Sequence, residues 1–158
     1  VSDLPKIYTD HDLLQQVFIN LYSNSLHALA PGGVIKIGAE LIRRNPEIAP
    51  FGARDWLRIS FEDKGSGISA EHLGRVFDPF FTTKDIGEGT GLGLSVSYGI
   101  IQEHGGEIHV ESEPGRFTRF IIYLPTEQPG RQTRYSSENS IDTRHHEADD
   151  QPGQNSHR

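Results

Sequence analysis

The chain has 158 residues, 34% of them hydrophobic, and a formal net charge of −7. That length suits one ordinary domain, and the acidic balance, with no basic run, excludes a duplex-binding surface, which needs clustered Lys and Arg. No apolar run approaches the roughly 20 residues of a membrane span, no secretory signal pattern opens the chain, and the absence of cysteine removes disulfides and thiolate metal sites and fits a reducing compartment.

Lys6-Ile7-Tyr8, after Pro5, predicts a short extended segment. Asp10 offers an N-cap to a helix in which Leu13, Leu14, Val17, Phe18, Leu21, Leu26 and Leu29 recur at helical spacing, and Pro31-Gly32-Gly33 stops it. Val34 to Ile42 predicts a strand. A polar, Pro-containing connection from Arg43 to Asp55 leads to the alternating strand Trp56 to Phe61, a hairpin with a long loop. Ser69 is placed to cap a short helix running to Val76. A second long helix is expected from Leu92 to His104, ended by Gly105-Gly106 as a left-handed cap. Glu107 to Ser112 and Phe117 to Leu124 read as two more strands turned by Pro114-Gly115. This order is not the alternating βα of a doubly wound fold. It predicts an α+β protein: a two-layer α/β sandwich with a mixed, mostly antiparallel sheet of about five strands and three helices on one face. From Thr126 to Arg158 the only clearly apolar side chains are Tyr135, Ile141 and Ala148, too few to offset ordering entropy. The expected organisation is a folded unit over 1–125 and a disordered tail or linker over 126–158. With Val1 first and no Met anywhere, the chain reads as a piece of a longer protein.

Four groups of residues can carry chemistry. Asn20 and Asn24 lie four apart and so share one helix face. Buried amides need partners or cost a few kcal/mol each; the ordinary reading is helix-to-loop hydrogen bonding, and the sharper one is an Asn oxygen ligating a hard cation such as Mg²⁺. Asp63-Lys64-Gly65-Ser66-Gly67 ends a strand with a carboxylate able to accept from an exocyclic amine, and its glycines let backbone pass close to a flat ring; taken alone, an ordinary Asp-Gly turn closing the strand is the better reading. Gly87-Glu88-Gly89-Thr90-Gly91-Leu92-Gly93 runs into a helix N-terminus, a natural anion site. It is neither a dinucleotide fingerprint, since Val96 holds the third glycine position, nor a P-loop, since no Gly-Lys-Ser/Thr follows. Between the glycine groups, Phe77-Asp78-Pro79-Phe80-Phe81-Thr82-Thr83-Lys84 joins three aromatics, too apolar to stand free, to a cation suited to phosphates. The histidines show no zinc-ligand spacing.

In this order the motifs resemble the N, first glycine, F and second glycine boxes of bacterial sensor histidine kinase catalytic domains; His104-Gly105-Gly106-Glu107-Ile108 and Tyr123-Leu124-Pro125 resemble that family too. The resemblance covers nearly all of residues 4–125 and implies the Bergerat ATP-binding fold of gyrase-type ATPases and ninety-kilodalton heat-shock chaperones. It implies ATP and Mg²⁺ as cofactors, with Asn24 as metal ligand, Asp63 as adenine acceptor, Gly65 and Gly67 shaping the base pocket, and Gly89, Gly91 and Gly93 cradling phosphates. Further nucleotide contacts are implied for His27, Ile68, Phe80, Thr82, Lys84, Thr90, Leu92, Leu94 and Thr118, and catalytic roles for Asn20, Asn24 and Lys84. Asn20 stands where the hydrolysing relatives carry a water-activating glutamate; an amide is no general base near neutral pH.

The implied reaction is transfer of the γ-phosphoryl of ATP to a histidine on an upstream phosphoacceptor/dimerisation domain, and then to a response regulator. A cytoplasmic location is implied, including as the cytoplasmic part of a membrane-anchored sensor, with no nucleic acid partner and no membrane contact by this domain. A serine-directed kinase of the anti-sigma-factor type, a nucleotide-sensing module without transfer and a gyrase-type hydrolase are the competing readings. The chain departs from the family pattern in three places. His27 stands where many members place a phosphate-contacting Lys, and an imidazole is charged only part of the time near neutral pH. Phe117 stands where a second glycine is usual. No acceptor histidine is visible: His11 lacks the usual Pro five residues on, and His145 and His146 lie in the tail.

Overall fold

The computed structural model describes residues 4–43, 54–84 and 89–126. Helix α1 (His11–Ala28) begins where Asp10, in an extended conformation, turns its carboxylate onto the free N–H groups of Asp12 (3.0 Å) and Leu13 (3.1 Å). Its inward stripe is Val17, Leu21 and Ser25, each one helical turn after the last. Strands β1 (Ile35–Ile42) and β2 (Trp56–Asp63) pair antiparallel from Ile35 opposite Asp63 to Ile42 opposite Trp56. The one-turn helix α2 (Ala70–Leu73) and helix α3 (Gly93–Glu103) follow, and then β3 (Glu107–Glu113) and β4 (Phe117–Pro125), also antiparallel. Because β4 also pairs with β2, the sheet order is β1-β2-β4-β3.

Helix α1 packs on β2 and α3, and α3 packs on β3. Val17 and Leu21 of α1, Ile100 and Ile101 of α3, and Phe61, Phe120 and Ile122 of the sheet close one apolar core between the layers. Each such side chain contributes about 1.5–3 kcal/mol by leaving water. The helices do not reach over β1: Ile37, opposite Phe61 in the register, is 61% exposed. Helix α3 ends as the glycines require. Gly105 takes φ +67, its N–H bonds to the Gln102 carbonyl, and the Gly106 N–H reaches back to that of Ile101 (each 2.9 Å).

The two-layer architecture and both hairpins follow the periodicity, with three differences. The sheet has four strands among the described residues rather than about five, and every pairing is antiparallel. Lys6-Ile7-Tyr8 joins no ladder, because Ile7 packs onto the core instead of pairing at a sheet edge. Helix α2 stops at Leu73, short of Val76, and Ser69 caps it without a side-chain hydrogen bond. The expected tail, apart from Thr126, lies outside the described residues, as does most of the β1–β2 connection.

Candidate functional site: a two-compartment cleft

Two adjoining cavities, of about 290 and 300 Å³, open between α1, the ends of β2 and β4, and the loops before α3. Asn24, His27, Phe81, Thr82, Lys84 and Leu94 line both, so they are two compartments of one cleft.

The first compartment is floored by the strand ends. Asp63 is 1% exposed and accepts from the Ser25 hydroxyl (2.8 Å) and the Gly65 N–H (3.0 Å). Such donors hold a buried carboxylate in place and leave lone pairs for a further donor. Thr118, 4% exposed, stands opposite Asp63 in the β2–β4 register. Its hydroxyl meets Ser112 Oγ (3.2 Å), which donates to the Phe117 carbonyl (2.7 Å) and accepts the Ile68 N–H (2.8 Å). Val76, Leu94 and Phe120 supply apolar walls, and Gly67, Ile68 and His72 complete them. On the opposite face of the sheet, Arg119 pairs with Glu62 (2.5 Å), the residues next to Thr118 and Asp63. Lys64 first, and Arg119 with it, hold the Glu62 carboxyl at about 2.

The second compartment is lined by Asn20, Ser23, Asn24 and His27 of α1, by Gly89, Thr90, Gly91 and Gly93, and by Thr82 and Lys84. The spacing i, i+4, i+7 sets Asn20, Asn24 and His27 on one stripe. Asn20 Nδ2 donates to the Gly93 carbonyl (2.9 Å) and to Ser97 Oγ (3.1 Å), which fastens α1 to the first turn of α3. Asn24 makes no side-chain hydrogen bond among the described residues. His27 Nδ1 donates to the Ser23 carbonyl (2.5 Å), leaving Nε2 as its remaining polar atom. Gly91 takes φ +66 and its carbonyl accepts the Phe80 N–H (2.9 Å); a Cβ there would collide with the Phe80 backbone.

Most of the residues expected from the motifs meet in this cleft, and three do not line it. Gly65 sits behind the first compartment, where a Cβ would strike the Ala28 carbonyl at 2.5 Å. Phe80, at φ +65, is turned outward and 74% exposed, because its backbone is taken up by Gly91. Leu92, 37% exposed, also stands outside. Phe117 does not line the first compartment: its ring meets the cations of Lys64 (5.5 Å) and Arg119 (5.4 Å). Residues that motif reading missed are Phe81, between His72 and the Arg75 guanidinium, and the positioning hydroxyls Ser25 and Ser97. Ser25 had a signal, a hydroxyl on the stripe Val17-Leu21; nothing in the run Phe80-Phe81 said which ring would turn inward.

The family described as histidine kinase-, DNA gyrase B- and HSP90-like ATPase matches residues 9–128. The chain belongs to that family. It is 41% identical over 134 residues to sporulation kinase E of Bacillus subtilis (strain 168), covering 85% of this chain and 16% of that protein. It is 43% identical over 122 residues to the sensor histidine kinase ZraS of Escherichia coli (strain K12), covering 77% of this chain and 23% of that protein. The chain thus spans less than a quarter of either relative. Among solved structures, the catalytic domain of histidine kinase ThkA superposes with a TM-score of 0.61 at 35% identity, covering 78% of this chain and 73% of that one. Full-length ShkA in complex with AMPPNP superposes with a TM-score of 0.61 at 26% identity, over 77% of this chain and 23% of that one. The fold is that of a histidine kinase catalytic domain within the ATPase family.

Proposed function

We propose that this domain binds Mg-ATP and transfers its γ-phosphoryl to a histidine of a phosphoacceptor/dimerisation domain upstream in the full protein, from which a response regulator takes it onto an aspartate. The unit that does so is residues 1–125, with 126–158 as tail or linker, and it works in the cytoplasm; no helix among the described residues is long and apolar enough to cross a membrane. The observation that carries the reading is the composition of the second compartment. No carboxylate lines it among the described residues, and Asn20, the side chain that reaches α3, is an amide. Hydrolysis needs a base to activate water, and an amide cannot serve. Transfer to an imidazole, itself a nucleophile, does not need one.

Asp63 accepts the exocyclic amine of adenine, Thr118 contacts the adjoining edge, and Ile68, Leu94 and Phe120 cover the ring. The α3 N-terminus, with Gly89, Thr90, Gly91 and Gly93, presents backbone N–H groups to phosphates, and Thr82, Lys84 and His27 contribute at the junction. The residues fit Mg²⁺: Asn24 offers a hard oxygen at that junction, its amide engaged with no described residue, and Mg²⁺ takes few protein ligands beside phosphates and water. When bound, the ion neutralises charge at the phosphate oxygens. The protein's own share of catalysis is positioning, with Asn20 bracing α1 against α3 so that Asn24, His27 and Gly93 keep their spacing.

The test is to join the domain to its native upstream segment and incubate it with γ-labelled ATP and Mg²⁺. Protein-bound label that is acid-labile and base-stable, and absent from Asp63→Asn and Asn24→Ala, is expected. Nucleotide binding that depends on Asp63, without any label, would replace the reading by a nucleotide-sensing module.

A further inference from the structure

The motif His104-Gly105-Gly106 ends α3, and its glycines are accounted for by the helix cap; the imidazole is not. His104 Nδ1 lies 2.7 Å from the Ile100 carbonyl, which can only accept, so Nδ1 carries the proton. Its Nε2 lies 3.0 Å from the Asp10 backbone N–H, which can only donate, so Nε2 offers its lone pair. Both contacts are satisfied together only by the neutral Nδ1–H tautomer. Asp10 is the N-cap of α1. Its carboxylate is spent on Asp12 and Leu13 and its carbonyl on the Leu14 N–H (3.0 Å). The Asp10 N–H is therefore the one polar group of the cap not used inside α1, and it crosses to the far end of α3.

We propose that His104 is a positioning residue that clamps the junction between the upstream chain and the catalytic domain. The residues leading into α1 are held at Ile7, packed on the core, and at Asp10, bonded to His104. The direction in which the chain reaches α1 is thereby tied to α3, the helix whose opposite end carries Gly93 of the second compartment. His104 lines neither compartment. It acts on how the domain is presented to the phosphoacceptor, not on nucleotide binding. This inference rests on the phosphotransfer reading, since the clamp matters only if a phosphoacceptor lies upstream.

The test uses the domain joined to its native upstream segment, in wild-type form and as His104→Leu, which loses the acceptor, and His104→Gln, whose amide oxygen can accept from Asp10. Three quantities are read: the rate of label transfer from γ-labelled ATP at saturating nucleotide, the Kd for ATP, and hydrogen exchange at the Asp10 amide. His104→Leu is expected to slow transfer roughly fivefold to tenfold, the worth of one hydrogen bond. It should leave Kd within about twofold and expose the Asp10 amide to faster exchange, while His104→Gln restores rate and protection. An unchanged rate, a Kd that rises in step with the loss, or failure of His104→Gln to rescue overturns the clamp. If His104→Leu does not fold, Asp10→Pro, whose ring suits the φ of −73 at that position and which lacks the N–H that Asp10→Ala keeps, replaces it and is compared with Asp10→Ala. Equal rates for those two variants would overturn the clamp as well. A wild-type protein that takes no label at all refutes the phosphotransfer reading instead, and Asp10 amide exchange then judges the clamp alone.

Discussion

The two compartments of the cleft are built by opposite means. The first is made of buried side chains that hold one another: Asp63 by Ser25 and Gly65, Thr118 by Ser112, with an ion pair fastening the two strand ends from the far face. The second is made of glycine backbone and of more exposed polar side chains: Asn20 is held by Gly93 and Ser97, but Asn24 makes no side-chain hydrogen bond among the described residues, and His27, Thr82 and Thr90 are exposed. On the function proposed above, the difference follows from what each end recognises. A flat base edge is neutral and is read by fixed donors and acceptors in a low-dielectric floor. A triphosphate brings its own charge and counterion, so the protein supplies N–H groups and space rather than a finished charge array.

That contrast makes predictions of decreasing size. Asp63→Asn keeps the shape of the first compartment but turns half of the acceptor into a donor; ATP affinity should fall by about 10- to 100-fold, from the roughly 1.5–3 kcal/mol of a hydrogen bond to a charged group, as read by calorimetry. Asn24→Ala should raise the Mg²⁺ concentration needed for half-maximal transfer by about tenfold and leave metal-free binding of nucleotide nearly unchanged; equal loss with and without Mg²⁺ would remove Asn24 from the metal. His27→Lys adds a permanent charge at an exposed position worth at most about 1 kcal/mol, so ATP binding at neutral pH should tighten no more than about fivefold, and no change would show that the position does not meet phosphate. The smallest effect tests the outer support. Because the Glu62 carboxyl is held at about 2, below the ordinary 4.5, its pairing stabilises the fold above pH 4.5 and is lost as pH falls toward 2. The melting temperature of wild type should therefore drop more than that of Glu62→Gln across that window; parallel curves would show that the ion pair contributes nothing.

Much of this was legible in the chain itself, for reasons that differ by element. The caps and periodicity of α1 and the paired strands around Pro114-Gly115 are local properties, and local rules read them. The spacing of Asn20, Asn24 and His27 on one helical stripe, and the carboxylate at the end of β2, were legible because helix and strand geometry project them predictably. What escaped depends on three-dimensional competition. Ile7 has the composition of a strand residue but is drawn onto the core. Phe80 and Phe81 are chemically identical neighbours, and only the bond between the Phe80 N–H and Gly91 decides which ring faces the cleft. The partnership of Ser25 with Asp63 joins residues 38 apart, and no local pattern records it.

The division of labour between the compartments is the central claim, and comparing adenosine with Mg-ATP on the same three proteins tests it most directly. Binding of each ligand to wild type, Asp63→Asn and Asn24→Ala would be measured by titration calorimetry. Asp63→Asn should weaken adenosine and Mg-ATP by the same factor, while Asn24→Ala should weaken Mg-ATP alone. Asn24→Ala weakening adenosine as much as Mg-ATP, or Asp63→Asn sparing adenosine, would contradict the assignment of the two ends.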